Sequence, residues 1–284
     1  MTPIMSVDES LPTFIVIGAM KCGTTSLHNY LDAHPEICMS TPKEPDYFIG
    51  ASDRDLAGYR QCFAEPAAEY GESSTNYTKY PTFQGVPERM HRLVPDVKLL
   101  YLVRDPIERA LSHYAHNRVH GREDGPIEAA FLPVEDSHYL QTSRYYMQIA
   151  QYLDYFPRER ILIVQSERLR DRRSGVMRRI FDFLGVSTAV DASRFDTEHH
   201  STAEKLPPAL SSLLTETRAG KAVTTLVDAL VPMSLLDWGR RQVSPDVNRP
   251  TLEGVVRQEV RACLKQDAER LRTQFELNLH DWSV

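Results

Sequence analysis

The first two thirds of the chain alternate between short apolar runs and stretches in which apolar residues follow helical spacing. The runs at residues 14–17, 97–103 and 161–164 are almost continuously apolar, as is typical of strands buried on both faces of a parallel sheet. Helical spacing is found over residues 24–33, from Pro106 onward, and over 139–156 and 168–184. This alternation predicts right-handed βαβ units, and hence an α/β fold with a central parallel sheet flanked by helices.

The predicted organisation is a single domain, residues 13–284, preceded by a flexible tail. Residues 1–12 carry prolines and acidic residues without periodicity, which indicates the tail. Beyond Gly185 the strand signal fades, and residues from about 200 to 250 are predicted to form a helical or irregular C-terminal elaboration of the same domain. Helical spacing returns over residues 252–275, which predicts a helix that packs across the sheet.

Composition and charge exclude several classes of protein. With 42% apolar and 25% charged residues in 284, the chain has the composition of an ordinary globular protein. A net charge of −6 argues against a surface that binds nucleic acid. The early apolar run is too short for a bilayer and lacks a preceding basic segment, so we expect no membrane span and a cytoplasmic location. The four cysteines form no C-x-x-C pair and no metal-ligand spacing, which predicts reduced thiols and no metal.

The loop after the first apolar run has the frame of a phosphate-binding loop, in which four residues separate two glycines. The two glycines are Gly18 and Gly23, and they allow the backbone to approach an anion closely. The helix that follows opens with three hydroxyl residues, Thr24, Thr25 and Ser26. Its first amides and the positive end of its dipole also favour an anion. The sequence therefore predicts a P-loop-like domain with an anion site at this loop.

The lysine of this loop, Lys21, does not stand where nucleoside triphosphatases carry theirs. Those proteins place lysine directly after the second glycine, where this chain has Thr24. A lysine inside the loop is better placed for the bridging oxygen of a two-centre anhydride than for the far end of a triphosphate. The neighbouring Cys22 is interpreted as a small filler, with a reactive thiol as the alternative.

A second candidate anion site follows the apolar run at residues 97–103. Arg104 comes directly after this run, at the edge of the sheet where open α/β folds bind ligands, and Ser112 lies two helical turns further on. An arginine fork and a serine hydroxyl together suit a phosphate. The structural alternative is that Asp105 either pairs with Arg104 or caps the following helix.

Residues 21–27 and 102–114 together resemble the sulfotransferases that use 3′-phosphoadenosine 5′-phosphosulfate (PAPS), in particular the heparan-sulfate-type branch and its bacterial relatives. The resemblance extends over about 14–185 and returns near 248–282. It implies that residues Lys21, Cys22, Gly23, Thr24, Thr25 and Ser26 bind the 5′-phosphosulfate. It also implies that Arg104 and Ser112 bind the 3′-phosphate, and that the product is adenosine 3′,5′-bisphosphate (PAP).

The same resemblance suggests a general base in residues 41–48. The glutamate of this segment, Glu44, corresponds to the one that lies beside the acceptor hydroxyl in the family. A sulfuryl group is expected to pass through a loose transition state, so a carboxylate can take the hydroxyl proton late in the reaction. Lys43 is expected to help neutralise the leaving side, and a solvated ion pair between Lys43 and Glu44 is the structural alternative.

Two further segments match the family less well. Residues 71–77 correspond to a stretch in which heparan-type enzymes carry a lysine after a glutamate, but this chain has Ser73 after Glu72. The family's second lysine therefore has no counterpart at this position, and Glu72 is an alternative base or acceptor ligand. The family's late 3′-phosphate loop corresponds loosely to residues 199–205, where Lys205 would contribute charge.

The heparan-type enzymes that this chain resembles carry a cysteine pair and a basic hairpin near the C-terminal third, and both are missing here. Together with the acidic charge, this departure argues against a sulfated polysaccharide as acceptor. We therefore expect a hydroxyl on a small molecule, sugar or glycolipid, with no nucleic-acid partner; the oligomeric state is left open. Three histidines of the helix after Arg104 are interpreted as a solvated or packed helix face, with a metal or base role as the alternative: His113, His116 and His120. The alternatives to a sulfotransferase are a nucleotide-dependent kinase with a displaced loop lysine and a non-catalytic nucleotide-binding protein.

Overall fold

A five-stranded, wholly parallel sheet forms the centre of the molecule. The computed structural model describes residues 11–50, 55–63, 65–190 and 250–284. The strands are β1 (Phe14–Gly18), β2 (Ile37–Met39), β3 (Glu69–Ser73), β4 (Lys98–Val103) and β5 (Ile161–Gln165). Their order across the sheet is β2-β3-β1-β4-β5, and the predicted fold class is confirmed.

Helices cover the sheet. They are α1 (Thr24–Asp32), α2 (Leu56–Arg60), α3 (Val86–Leu93), α4 (Pro106–Val119), α5 (Ile127–Phe131), α6 (His138–Ser143), α7 (Tyr145–Leu153), α8 (Ser166–Asp171), α9 (Arg173–Leu184) and α10 (Gly254–Phe275). Short 3₁₀ turns occur at Thr75–Thr78 and Arg158–Arg160. In the part of the chain that the structure describes, each helix is too short or too polar to cross a lipid bilayer.

The sequence predicted three of the five strands and missed β2 and β3. It also predicted one helix over 139–156 where the chain forms α6 and α7, separated by the non-helical backbone of Arg144. The second helix begins anew because the Asp267 carboxylate of α10 accepts hydrogen bonds from the amides of Tyr146 and Met147, each at 2.8 Å. This cap could not be predicted from helical spacing, because Asp267 is at least 120 residues away in the sequence.

The core lies on both faces of the central strands. All five residues of β1 are buried, as are residues 99–103 of β4. Space beside β1 is so limited that a Cβ atom at Gly71 of β3 would lie 2.1 Å from the Phe14 ring. The predicted C-terminal helix is present as α10, which packs against α4 to α7 and contributes Leu271 and Phe275 to the core.

The strand order creates a crevice between β1 and β4. The chain leaves β1 toward β2 on one side of the sheet, whereas it leaves β4 toward β5 on the other side. Connections that diverge in this way leave a crevice at the carboxyl ends of the two strands, where open α/β sheets bind their ligands. Both predicted anion sites lie at this crevice.

Candidate active site

The loop after β1 adopts a conformation that leaves the first turn of α1 available to an anion. Gly23 is the N-cap of α1 and has a φ of 85°, in the left-handed region that favours glycine. No side chain caps this end of the helix, and its first turn contains no acidic residue. At the start of the loop the Ala19 amide donates to the Leu102 carbonyl of β4 at 2.8 Å, which fixes the loop beside the crevice.

Arg109 of α4 is a buried side chain that contacts this loop. The side chain is completely buried, and its guanidinium donates to the Met20 carbonyl of the loop at 3.4 Å. It also donates to the Ser143 hydroxyl and the Tyr139 carbonyl of α6, each at 2.6 Å. Burial lowers the pKa of Arg109, and among the described residues it has no carboxylate partner. Arg109 is not among the site residues predicted from the sequence, although a charged side chain among the apolar positions of α4 is a signal for it.

Cys22 is buried inside the loop. Burial raises the pKa of its thiol to about 11, and its Sγ lies 3.6 Å from the Tyr145 hydroxyl. The Cys22 carbonyl accepts a hydrogen bond from the Ser166 hydroxyl at 2.8 Å, which ties the loop to α8. A protonated, enclosed thiol fits the interpretation of Cys22 as a filler, because the thiolate is the reactive form.

Lys21 extends from the loop toward α4. Its Nζ lies 3.5 Å from Nδ1 of His116, so the neutral imidazole accepts from the ammonium. Burial, followed by the charge of Lys21, lowers the pKa of His116 to about 4. The histidine therefore stays neutral near pH 7. Among the described residues Lys21 has no carboxylate partner, so an anionic ligand would compensate its charge.

Arg104 lies on the other side of the crevice, directly after β4. Its guanidinium makes a 3.5 Å ion pair with Glu108, one turn before Ser112 on the same face of α4. Asp105 does not pair with Arg104 but caps α4, because its Oδ1 accepts from the amides of Ile107 and Glu108 at 3.0 Å each. Of the two structural alternatives for Asp105, the cap is the one observed. Arg104 and Ser112 thus lie along one side of the start of α4, directly after β4.

Glu44 and Lys43 lie on the loop after β2. They form an ion pair of 2.6 Å, so the structural alternative considered for these two residues is present. The Glu44 side chain remains 37% exposed, and its Oε1 lies 3.5 Å from the Thr75 hydroxyl. An exposed pair of this kind contributes little to stability. The Glu44 carboxylate is therefore still accessible to a molecule in solution while it is paired with Lys43.

Glu72, the other candidate carboxylate, lies within β3 and is 0% exposed. Tyr59 donates to its Oε2 and stacks on Tyr47 with a ring separation of 4.0 Å, which covers the carboxylate. Burial raises the pKa of Glu72 to about 7, although hydrogen bonds from Tyr59 and Tyr77 act in the opposite direction. The structure therefore separates the two carboxylates that the sequence left as alternatives, with Glu44 open to solvent and Glu72 enclosed.

The buried position of Glu72 leads to a prediction about stability. Its pKa is raised above the ordinary value of 4.5, so the folded state holds a proton that the unfolded state releases between about pH 4.5 and 7. The free energy of unfolding should therefore fall as pH rises through this window, by about 3 kcal/mol at most. We expect Glu72→Gln to melt several degrees above the parent protein at pH 8 and to gain little at pH 5. An equal difference at both pH values in calorimetric melting would contradict the assignment.

Two predicted features lie outside the described residues: Lys205, with its segment 199–205, and the elaboration at about 200–250. The tail prediction for residues 1–10 lies outside them as well. Within the described ranges, no group of three or more histidine, cysteine or acidic side chains is arranged to hold a metal ion. The described candidates are thus Lys21 and its loop, the pair Arg104 and Ser112, and Glu44 with Lys43.

Comparison with known proteins agrees with the fold. The family model described as "Sulfotransferase domain" matches residues 11–207. Heparan sulfate glucosamine 3-O-sulfotransferase 6 of Mus musculus is 32% identical over 199 residues, which cover 65% of this chain and 55% of the relative. Heparan sulfate glucosamine 3-O-sulfotransferase 3B1 of Homo sapiens is 31% identical, over 67% of this chain and 50% of the relative. The chain thus matches about half the length of these animal enzymes.

A solved structure is similar over nearly the whole chain. The sulfotransferase from Alicyclobacillus acidocaldarius superposes with a TM-score of 0.68 and 25% identity, over 97% of this chain and 100% of that chain. The match of the family model covers more than half of the sequence, and it includes every described candidate residue. The chain therefore belongs to the sulfotransferase domain family.

Proposed function

We propose that this protein transfers the sulfuryl group of PAPS to a hydroxyl group of a small-molecule, sugar or glycolipid acceptor. The observation that carries the proposal is the presence of two cationic elements on opposite sides of the crevice between β1 and β4. One is the glycine loop with Lys21 and the uncapped start of α1. The other is Arg104 with Ser112 after β4. A nucleotide with phosphate at both its 5′ and 3′ positions requires two such elements.

The glycine loop suits the 5′ end of the donor. The first amides of α1 and the hydroxyls of Thr24 and Thr25 would donate hydrogen bonds to an anion, and the helix dipole would add to this attraction. The ammonium of Lys21 would meet the negative charge that develops on the bridging oxygen when the sulfur–oxygen bond breaks. Arg104 and Ser112 would bind the 3′-phosphate, whose charge does not change during transfer.

The loop after β2 suits the acceptor. Glu44 is the exposed carboxylate, and a hydroxyl beside it could transfer its proton to Glu44 as the new sulfur–oxygen bond forms. Lys43 pairs with that carboxylate at 2.6 Å and holds it in place on the loop. The net charge of −6 favours a neutral acceptor over a polyanionic one. A cytoplasmic location is proposed on the sequence pattern alone.

Binding of PAP tests the donor assignment. A ligand that binds only the folded state at about 100 times its Kd adds roughly 2.7 kcal/mol of stability. We therefore expect PAP to raise the melting temperature by about 5 °C or more. Adenosine 5′-monophosphate, which lacks the 3′-phosphate, should protect much less, and so should ADP and ATP.

The matched variant for this experiment is Arg104→Ala. It should lose most of the difference between PAP and adenosine 5′-monophosphate while its melting temperature without ligand stays close to that of the parent. If ADP or ATP protects the parent protein as well as PAP does, Arg104 and Ser112 do not bind a 3′-phosphate. That outcome would favour a kinase.

A further inference from the structure

A side chain that the assignments above leave unused, Lys79, follows the 3₁₀ turn at Thr75–Thr78. This turn lies beside the loop that carries Glu44. The Ser74 hydroxyl accepts from the Asp46 amide at 3.2 Å, and the Asn76 amide donates to the Asp46 carboxylate at 2.7 Å. The Thr75 hydroxyl lies 3.5 Å from Glu44. These contacts make the turn and the loop one unit, so Lys79 and Glu44 are held together.

The ammonium of Lys79 has a neutral partner. Its Nζ donates to the Asn76 side-chain carbonyl at 2.7 Å, and among the described residues it makes no ion pair. Glu44, one of the two neighbouring carboxylates, pairs with Lys43 at 2.6 Å, and the other, Asp46, accepts from Asn76. The side chain is half-buried. A cation withdrawn from water without an anionic partner is costly, so this position favours the binding of an anion.

The surroundings of Lys79 include several further cations. Burial lowers the pKa of Lys79, and the charges of Arg109 and Arg122 lower it further, whereas Glu44 and Asp46 raise it. The charge of Lys79 in turn lowers the pKa of His116, the imidazole that Lys21 contacts at 3.5 Å. Lys21 and Lys79 therefore act on the same imidazole from two different segments of the chain. Both lysines are thus near His116, and Lys79 is also near Glu44.

We propose that Lys79 binds a non-bridging oxygen of the sulfuryl group, on the acceptor side of the site and beside Glu44. The inference rests on the proposed function. As the bond from sulfur to the 5′-phosphate oxygen breaks, Lys21 stabilises the charge on the departing oxygen. The acceptor oxygen bonds to sulfur and its proton passes to Glu44. The ammonium of Lys79 takes no part in this proton transfer and stabilises the charge spread over the sulfuryl oxygens.

The experiment compares the affinities for PAPS and PAP, which differ by the sulfuryl group, in equilibrium titrations without acceptor. We expect Lys79→Gln to weaken PAPS binding about tenfold, the scale of one charge-assisted hydrogen bond, and to leave PAP binding unchanged. Lys79→Arg keeps the charge and should retain most of the affinity for PAPS. Lys265→Gln removes a lysine from the exposed face of α10 and should change neither affinity. Because the ratio of the two affinities does not depend on the fraction of folded protein, a loss of stability leaves the test valid.

Each other outcome is decisive. Unchanged affinities in Lys79→Gln, or equal losses for PAPS and PAP, would overturn the role of Lys79 and leave the proposed function standing. Failure of the parent protein to bind either nucleotide would overturn the proposed function, and the role of Lys79 with it.

Discussion

Glu44→Gln is expected to lower the rate of sulfuryl transfer by roughly 10² to 10⁴, the usual range for loss of a general base. The substitution keeps the size of the side chain but removes its capacity to accept a proton from the acceptor hydroxyl. Affinity for PAP should be retained, because Glu44 lies on the loop after β2 and not in the glycine loop. The measurement is turnover with radiolabelled PAPS, accompanied by a titration with PAP.

Glu72→Gln is the control for this prediction. Glu72 is the same residue type but is enclosed beneath Tyr59, so its replacement should cost much less activity than that of Glu44. If Glu72→Gln abolishes turnover while Glu44→Gln is mild, the base lies in β3 and the acceptor must enter from the side of Tyr59. The pH dependence of stability predicted for Glu72 is measured on the same variant.

Lys21→Ala is expected to lower turnover by about 10² or more, the effect of losing one electrostatic stabiliser of a transition state. Within the part of the chain that the structure describes, the ammonium of Lys21 contacts the neutral imidazole of His116 and no carboxylate. The lysine is therefore available to interact with the departing oxygen. The effect should appear mainly in kcat, because negative charge on this oxygen grows during the reaction. Single-turnover measurements with saturating PAPS separate it from binding.

Arg104→Ala provides the contrast to Lys21→Ala. Its proposed target is the 3′-phosphate, whose charge is the same before and during transfer, so the variant should raise the KM for PAPS and leave kcat nearly unchanged. Turnover in Lys21→Ala equal to that of the parent protein would exclude a role for Lys21 on the leaving side. A fall in kcat alone in Arg104→Ala would exclude simple donor binding by that residue.

The sequence predicted those parts of the fold whose burial follows from apolar side chains. Strands β1, β4 and β5 are nearly all apolar and were recognised. Strand β3 was missed because it buries Glu72 and Ser73, and polar residues in a strand are buried only when distant residues provide partners for them. Here Tyr59 provides the partner for Glu72, and His28 lies 3.1 Å from the Ser73 hydroxyl. Neither partner can be identified from spacing along the chain.

The residues of the candidate site also fall into those that the sequence could predict and those that it could not. The glycine loop could be predicted because its glycines, lysine and hydroxyl residues are contiguous in sequence. The choice between Glu44 and Glu72 could not be made from the sequence, because it depends on which carboxylate the aromatic residues cover. Arg109 and Lys79 also required the structure, since each acquires its surroundings from segments far away in the sequence.

The central claim, sulfuryl transfer from PAPS to a hydroxyl group, is tested most directly by an assay with radiolabelled PAPS. The assay measures transfer of the label to a panel of phenols, sugars and glycolipids in the presence of EDTA. A sulfuryl group carries less charge than a terminal phosphoryl group, so Lys21 and the loop amides should suffice where kinases need magnesium. The proposed function predicts that label appears on at least one acceptor hydroxyl and that EDTA leaves the rate largely intact. Absence of label on every acceptor, or transfer from radiolabelled ATP that EDTA abolishes, would contradict it.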